Sequence, residues 1–197
     1  MHKLLLATNN PGKLIEMRAL LADVPVQLVT PGDCGIHFQV VESGETYAEN
    51  ATRKALEYAR AANLPTLADD SGLEVEVLNG APGLYSARYA GQPGATDAIR
   101  RAYLLDKLEH FPHPWYAKFR CTVAIAISSD DIHLSEGICP GEIISEGRGQ
   151  NGFGYDPIFL IPELGLTMAE LTIEQKNIVS HRARAIKAAI PLLLTLL

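Results

Sequence analysis

Short apolar runs alternate with helical stretches along this whole chain, and a chain that keeps switching between the two can bury both only by layering helices on a β-sheet. An α/β fold is therefore expected. The first run, residues 2–8, leads into Asn9-Asn10-Pro11, where Asn suits a helix cap and Pro the first helical turn, and the helix extends to about Ala22. Residues 24–29 read as a second strand. A loop rich in Gly, Pro and Asp then reaches Thr46-x-x-Glu49, a capping box that opens a helix to about Ala62. Residues 66–70 form a third strand, and residues 73–78, alternating apolar and acidic, a further half-buried one.

Residues 79–94 hold four glycines and two prolines, which marks a long ordered loop of the functional kind. A helix over 96–110 follows. Residues 117–128 and 132–144 read as two long strands, the first central because its second half is almost wholly apolar, joined as a hairpin around Ser129-Asp130-Asp131. Glycines return over 145–157. A short helix near 167–171 and a last one over 177–190, ended or bent by Pro191, complete the pattern.

With 197 residues, 47% of them hydrophobic, one domain spanning 1–197 is expected, with room for two lobes. Lys and Arg number 17 against 23 acids, a formal charge of -6, which disfavours a nucleic-acid surface and confines any phosphate site to a local patch. Three cysteines, Cys34, Cys121 and Cys139, form no C-x-x-C pair and fit reduced thiols in the cytoplasm. The apolar start is too short for a signal segment, and the apolar end, residues 190–197, falls far below the ~20 residues that span a bilayer. No membrane partner is expected.

Several segments carry chemistry. Leu67-Ala68-Asp69-Asp70-Ser71-Gly72 ends an apolar run on two carboxylates, a composition that suits either a turn or the acidic edge of a metal and phosphate site. Thr8-Asn9-Asn10-Pro11-Gly12-Lys13 opens a helix where free N–H groups can receive phosphate, although it is no Walker A loop. Glu42 could share a metal with Asp70, or be a solvated acid. Lys54, inside the second helix, has no local mark of function. Gly152-Phe153-Gly154-Tyr155-Asp156 resembles a base-binding loop in outline, with an aromatic between glycines and an acid three residues on; a tight turn with Phe153 in the core competes. Lys176, His181 and Arg182 flank the start of the last helix, where cations oppose the dipole unless an anion binds. His110 and His113 lack helical ligand geometry, and Ser71 lacks a neighbouring base, so neither a zinc site nor a serine triad is expected.

Taken together and in order, Thr8-x-Asn10-x-x-Lys13, Glu42, Ala68-Asp69-Asp70-Ser71-Gly72, Ala81-Pro82-Gly83-x-Tyr85-Ser86-Ala87-Arg88-Tyr89, Gly152-Phe153-Gly154-Tyr155-Asp156-Pro157 and Ser180-His181-Arg182 closely resemble the inosine triphosphate pyrophosphatase family, over nearly the whole chain. The resemblance implies a long mixed central β-sheet flanked by helices, two lobes with a nucleotide cleft between them, a homodimer and a Mg²⁺ requirement. It implies hydrolysis of ITP, dITP and XTP to monophosphate and pyrophosphate. Thr8, Asn10 and Lys13 would hold the triphosphate and Lys54 would contact phosphate; Glu42 and Asp70 would bind the metal, with Asp70 the general base. Ser71 would touch the nucleotide, Phe153 would stack on the base within the Gly154-Tyr155 loop, and Asp156, Lys176, His181 and Arg182 would complete the base pocket.

Strand geometry adds a constraint. Adjacent residues of an extended strand face opposite ways, so Asp69 and Asp70 cannot share one metal, and Asp69 should turn to backbone donors or a neighbouring loop. Selectivity follows from hydrogen bonding: hypoxanthine and xanthine present an O6 acceptor and an N1–H donor, adenine reverses both, and a site built on the first pattern can reject the second by ~10⁴. A nucleotide sensor without catalysis is the rival reading, and an RNA-binding module a distant third. Joint retention of Lys13, Glu42 and Asp70 argues against the sensor.

Overall fold

The computed structural model describes residues 2–128 and 130–196; Met1, Leu197 and Ser129, the first residue of the expected Ser129-Asp130-Asp131 hairpin turn, lie outside them. Seven strands form one mixed sheet in the order β2-β1-β3-β4-β5-β6-β7. They are β1 His2–Leu6, β2 Val26–Val29, β3 Thr66–Val75, β4 Trp115–Ala126, β5 Ile132–Ile143, β6 Phe159–Ile161 and β7 Leu166–Thr167. β1 runs parallel to both β2 and β3, whereas β5-β6 and β6-β7 are antiparallel. The α-helices are α1 Pro11–Leu20, α2 Tyr47–Ala62, α3 Asp97–Leu108, α4 Ile173–Val179 and α5 His181–Leu196.

The chain divides into two compact units, the first comprising 1–70, 121–137 and 181–197, the second 71–120 and 138–180. In the first, strand alternation sorts the core into two faces. Leu4 and Leu6 of β1, Leu67 of β3 and Cys121, Val123 and Ile125 of β4 pack with Met17 of α1 and Ile186 of α5. The intervening Leu5, Ala7, Ala68, Ala124 and Ala126 pack with Ala51, Ala55 and Tyr58 of α2. Both faces of these strands are covered, which explains their nearly continuous apolar runs. In the second unit Leu73, Phe119, Phe159, Met168 and Leu104 of α3 share a single core.

Asn10 caps α1 by accepting from the Lys13 N–H, and Thr46 caps α2 by accepting from the Glu49 N–H, as the sequence patterns anticipate. Three elements differ from expectation. β3 runs unbroken through Ser71 and Gly72 to Val75, and residues 76–78 form a 3₁₀ turn rather than the end of a second strand. No helix forms at 167–171: Thr167 ends β7, where Leu166 and Thr167 pair with Ile161 and Leu160, and residues 168–170 form a turn. The last helix is two: Ser180 takes an extended backbone, ends α4 and starts α5, which carries Pro191 inside it and buries Leu193 in the first unit's core.

Candidate active site

The acidic pair of β3 is split by the strand's own pleat. Leu67 faces α1 and α5 and Ala68 faces α2, so two residues on, Asp69 points to the first side and Asp70 to the second. Their surroundings differ. Asp69 accepts from Lys13 Nζ at 3.1 Å, from Arg182 Nε at 3.0 Å and from the Cys121 thiol at 3.7 Å. Burial pushes its pKa up, but the Lys13, Arg182 and Lys54 charges overwhelm that, and Asp69 stays ionised far below the usual carboxylate range. These partners are the side chains of Lys13, Arg182 and Cys121, where the sequence suggested backbone donors or a neighbouring loop.

Asp70 accepts from Asn50 Nδ2 of α2 at 3.0 Å, and Asn50 Oδ1 in turn accepts from the Gly44 N–H at 2.8 Å. One amide thus ties the strand carboxylate to the loop that carries Glu42. Burial raises the Asp70 pKa, the nearby Glu42 carboxylate raises it further, and Lys54, Lys13 and the Asn50 bond only partly offset them. Lys54 is no surface lysine: its ammonium lies 2.5 Å from Glu42 Oε1 and donates to the Asp69 carbonyl at 3.0 Å. Burial disfavours its charge, yet Asp69 and Glu42 more than compensate and raise its pKa.

Glu42 and Asp70 therefore offer two hard oxygen donors whose mutual repulsion invites a cation, and an ammonium already sits on one of them. That donor set fits Mg²⁺, which takes one or two protein carboxylates and completes its shell with water and phosphate oxygens.

Thr8 and Asn10 lie at the entrance to α1, where Thr8 Oγ1 accepts from the Asn10 N–H at 3.1 Å. His181 begins α5 and is buried. Arg182, expected beside the base, is 1% exposed and bridges Asp69 to Glu16 of α1 in a buried ion triad. Burial alone would lower its pKa, but the two carboxylates raise it, so Arg182 is permanently charged.

The second unit holds the other expected residues. Asp156 Oδ2 accepts from the Phe153 N–H at 2.8 Å and from Lys176 Nζ at 2.5 Å, both side chains of that ion pair being buried. Asp156 thus organises the loop and Lys176, where the sequence suggested an acceptor for a ring N–H. Lys176 Nζ lies 5.1 Å from the centre of the Phe153 ring, in cation–π range. Gly152 has φ +74°, and a Cβ there would overlap Asp156 Oδ2 and crowd Lys176 Nζ, so only glycine fits. Tyr155 is buried with its hydroxyl on the Ser86 carbonyl at 3.0 Å. Ser71 lies on β3, partly buried, at the start of this unit.

The sequence model of the Ham1 family matches residues 4–192. This chain belongs to the Ham1 family. Among Ham1-family relatives, a dITP/XTP pyrophosphatase of Desulforamulus reducens is 48% identical over 192 residues, covering 97% of this chain and 95% of the relative. A dITP/XTP pyrophosphatase of Mannheimia succiniciproducens is 49% identical over 189 residues, 94% of each chain. The solved Ham1 protein of Coxiella burnetii superposes with a TM-score of 0.89 at 40% identity, covering 99% of this chain and 100% of that one.

The sequence motifs contain Asp69, Asp156 and Arg182, which hold neighbouring groups in place, and Ser86, which takes the Tyr155 hydroxyl, but not all of their partners. Glu16 and Asn50 in the first unit, and Asp97 and Arg101 in the second, belong to none of the motifs. Only Asn50 left a trace: an amide in the first turns of a capped helix, on the face that also carries Tyr47, Ala51 and Ala55.

Proposed function

We propose that this chain hydrolyses dITP, XTP and ITP at the bond between the α and β phosphates, releasing pyrophosphate and the nucleoside monophosphate. The observation that carries the reading is the facing of β3: Asp70, held up in pKa beside Glu42, on one side, and Asp69 with its lysine and arginine on the other. The full-length likeness to relatives named dITP/XTP pyrophosphatase supports it.

In this reading phosphate oxygens approach the positive end of α1, and Thr8 and Asn10, which cap it, set the approach. Lys13 and Lys54 add positive charge, and Lys54 can exchange its hold on Glu42 for phosphate. Glu42 and Asp70 would hold Mg²⁺, which when bound neutralises charge on the triphosphate. Asp70, which burial and the Glu42 carboxylate make more basic than an ordinary aspartate, takes the proton of the attacking water.

Purine recognition falls to the second unit. Phe153 offers a stacking face. Lys176, a pure donor fixed by Asp156, suits the O6 acceptor of hypoxanthine and xanthine and has nothing to offer the N6 amino group of adenine. His181 and Ser71 complete the set of nucleotide contacts, and Arg182 acts from within through Asp69. A homodimer is part of the same proposal, with exposed Ile99 and Tyr103 of α3 and Leu194 of α5 as candidate contacts.

The deciding assay supplies dITP and Mg²⁺ and detects orthophosphate with and without added inorganic pyrophosphatase. Signal is expected only with the coupling enzyme. Orthophosphate released directly would overturn the reading.

A further inference from the structure

Helix α3 grips the loop that carries Phe153. Asp97 Oδ2 accepts from the Gly154 N–H at 2.6 Å, and Arg101 Nη1 donates to the Gly154 carbonyl at 2.7 Å. The two side chains stand at i and i+4 and so share one face of the helix. The atoms they hold belong to different peptide groups. The Gly154 N–H lies in the peptide joining 153 to 154, and the Gly154 carbonyl in the peptide joining 154 to 155. Fixing both planes fixes the φ and ψ of Gly154, which has φ +61°.

The opposite edge of Phe153 is fixed as well, because its N–H donates to Asp156 Oδ2 and its carbonyl accepts from the Asp156 N–H at 3.2 Å. With every polar group of its own backbone and the next peptide committed, the direction of the Phe153 Cα–Cβ bond is set before any ligand arrives. Asp97 is itself steadied by Arg100, which contacts its Oδ1, and by the Thr96 cap of α3. Ordering done in advance costs nothing at the moment of binding.

We propose that Asp97 and Arg101 are positioning residues for purine recognition, acting through Gly154 to present the Phe153 ring. The inference rests on the reading of Phe153 as the base-stacking residue. It extends that reading to a helix that carries none of the residues assigned to nucleotide contact.

The test is calorimetric binding of two separate probes, deoxyinosine monophosphate and pyrophosphate, in Mg²⁺ buffer. Arg101→Met is expected to weaken the monophosphate about tenfold, the scale of one or two lost hydrogen bonds, and to leave pyrophosphate within about twofold. Arg101→Lys, which keeps one donor, should recover most of the loss. Asp97→Ala should give the same split and keeps the test open if Arg101→Met fails to fold. Added to Phe153→Ala, Arg101→Met should cost nothing further, since it acts through that ring. Monophosphate affinity unchanged in Arg101→Met while Phe153→Ala loses it, additive losses, or an equal loss of pyrophosphate would overturn the inference. Undiminished monophosphate affinity in Phe153→Ala would overturn the stacking reading and this inference with it.

Discussion

Asp70 is held at a cost to the fold. Buried beside Glu42, its carboxylate has a folded-state pKa above its ordinary value, so above that pKa the ionised group subtracts stability relative to the unfolded chain. Asp70→Asn keeps the shape and the oxygen that accepts from Asn50 and removes the charge. Turnover of dITP is expected to fall by about 10²–10⁴, the range for losing a general base, with deoxyinosine monophosphate still bound. The same variant should melt higher than wild type in metal-free neutral buffer. A variant that kept near-normal turnover, or melted lower, would remove Asp70 from the role.

At the scale of elements, α2 is where sequence and geometry meet. Asn50→Ala removes the amide that takes the Gly44 N–H and donates to Asp70, so each of these groups loses one hydrogen bond. We expect about 1–3 kcal/mol of lost stability in all, read by denaturant midpoint, and a drop in kcat, because Asp70 and the Glu42 loop lose their shared tether. Asn50→Asp should be worse for turnover, since it sets a third carboxylate against Asp70. The period of two in β3 made the split of Asp69 from Asp70 legible in the sequence, because the pleat depends on nothing beyond the strand. Caps at Asn10 and Thr46 were legible for the same reason: the partner lies three residues away. What escaped depended on distant partners. Nothing near Arg182 foretells Glu16, and the helix-forming composition of 167–171 yields at Thr167 to a strand partner at Leu160. Lys54 read as a surface lysine until Glu42 and the Asp69 carbonyl closed on it.

For the whole molecule, the buried cluster of Glu16, Lys13, Asp69 and Arg182 sets how the fold answers acid. Asp69 has a folded-state pKa well below its unfolded value, so its contribution is fully present above the unfolded pKa, near 4, and is lost as pH falls from there toward the folded value. Below about pH 5 the unfolded chain begins to bind a proton that the folded chain refuses, and stability must slope downward. Asp69→Asn removes that slope and leaves Arg182 and Lys13 short of a counter-charge. Breaking a buried pair from one side costs about 3–5 kcal/mol, which for a chain of this size corresponds to a melting temperature lower by roughly 6–20 °C at neutral pH. The expected signature is thus a variant much less stable than wild type at pH 7, with the gap narrowing steadily between pH 5 and pH 3. A gap that stayed constant across that range would mean that Asp69 packs rather than pairs. Cations held by Asp69 would then have to find their positions some other way, and Lys13 would lose its tie to the carboxylate behind Asp70.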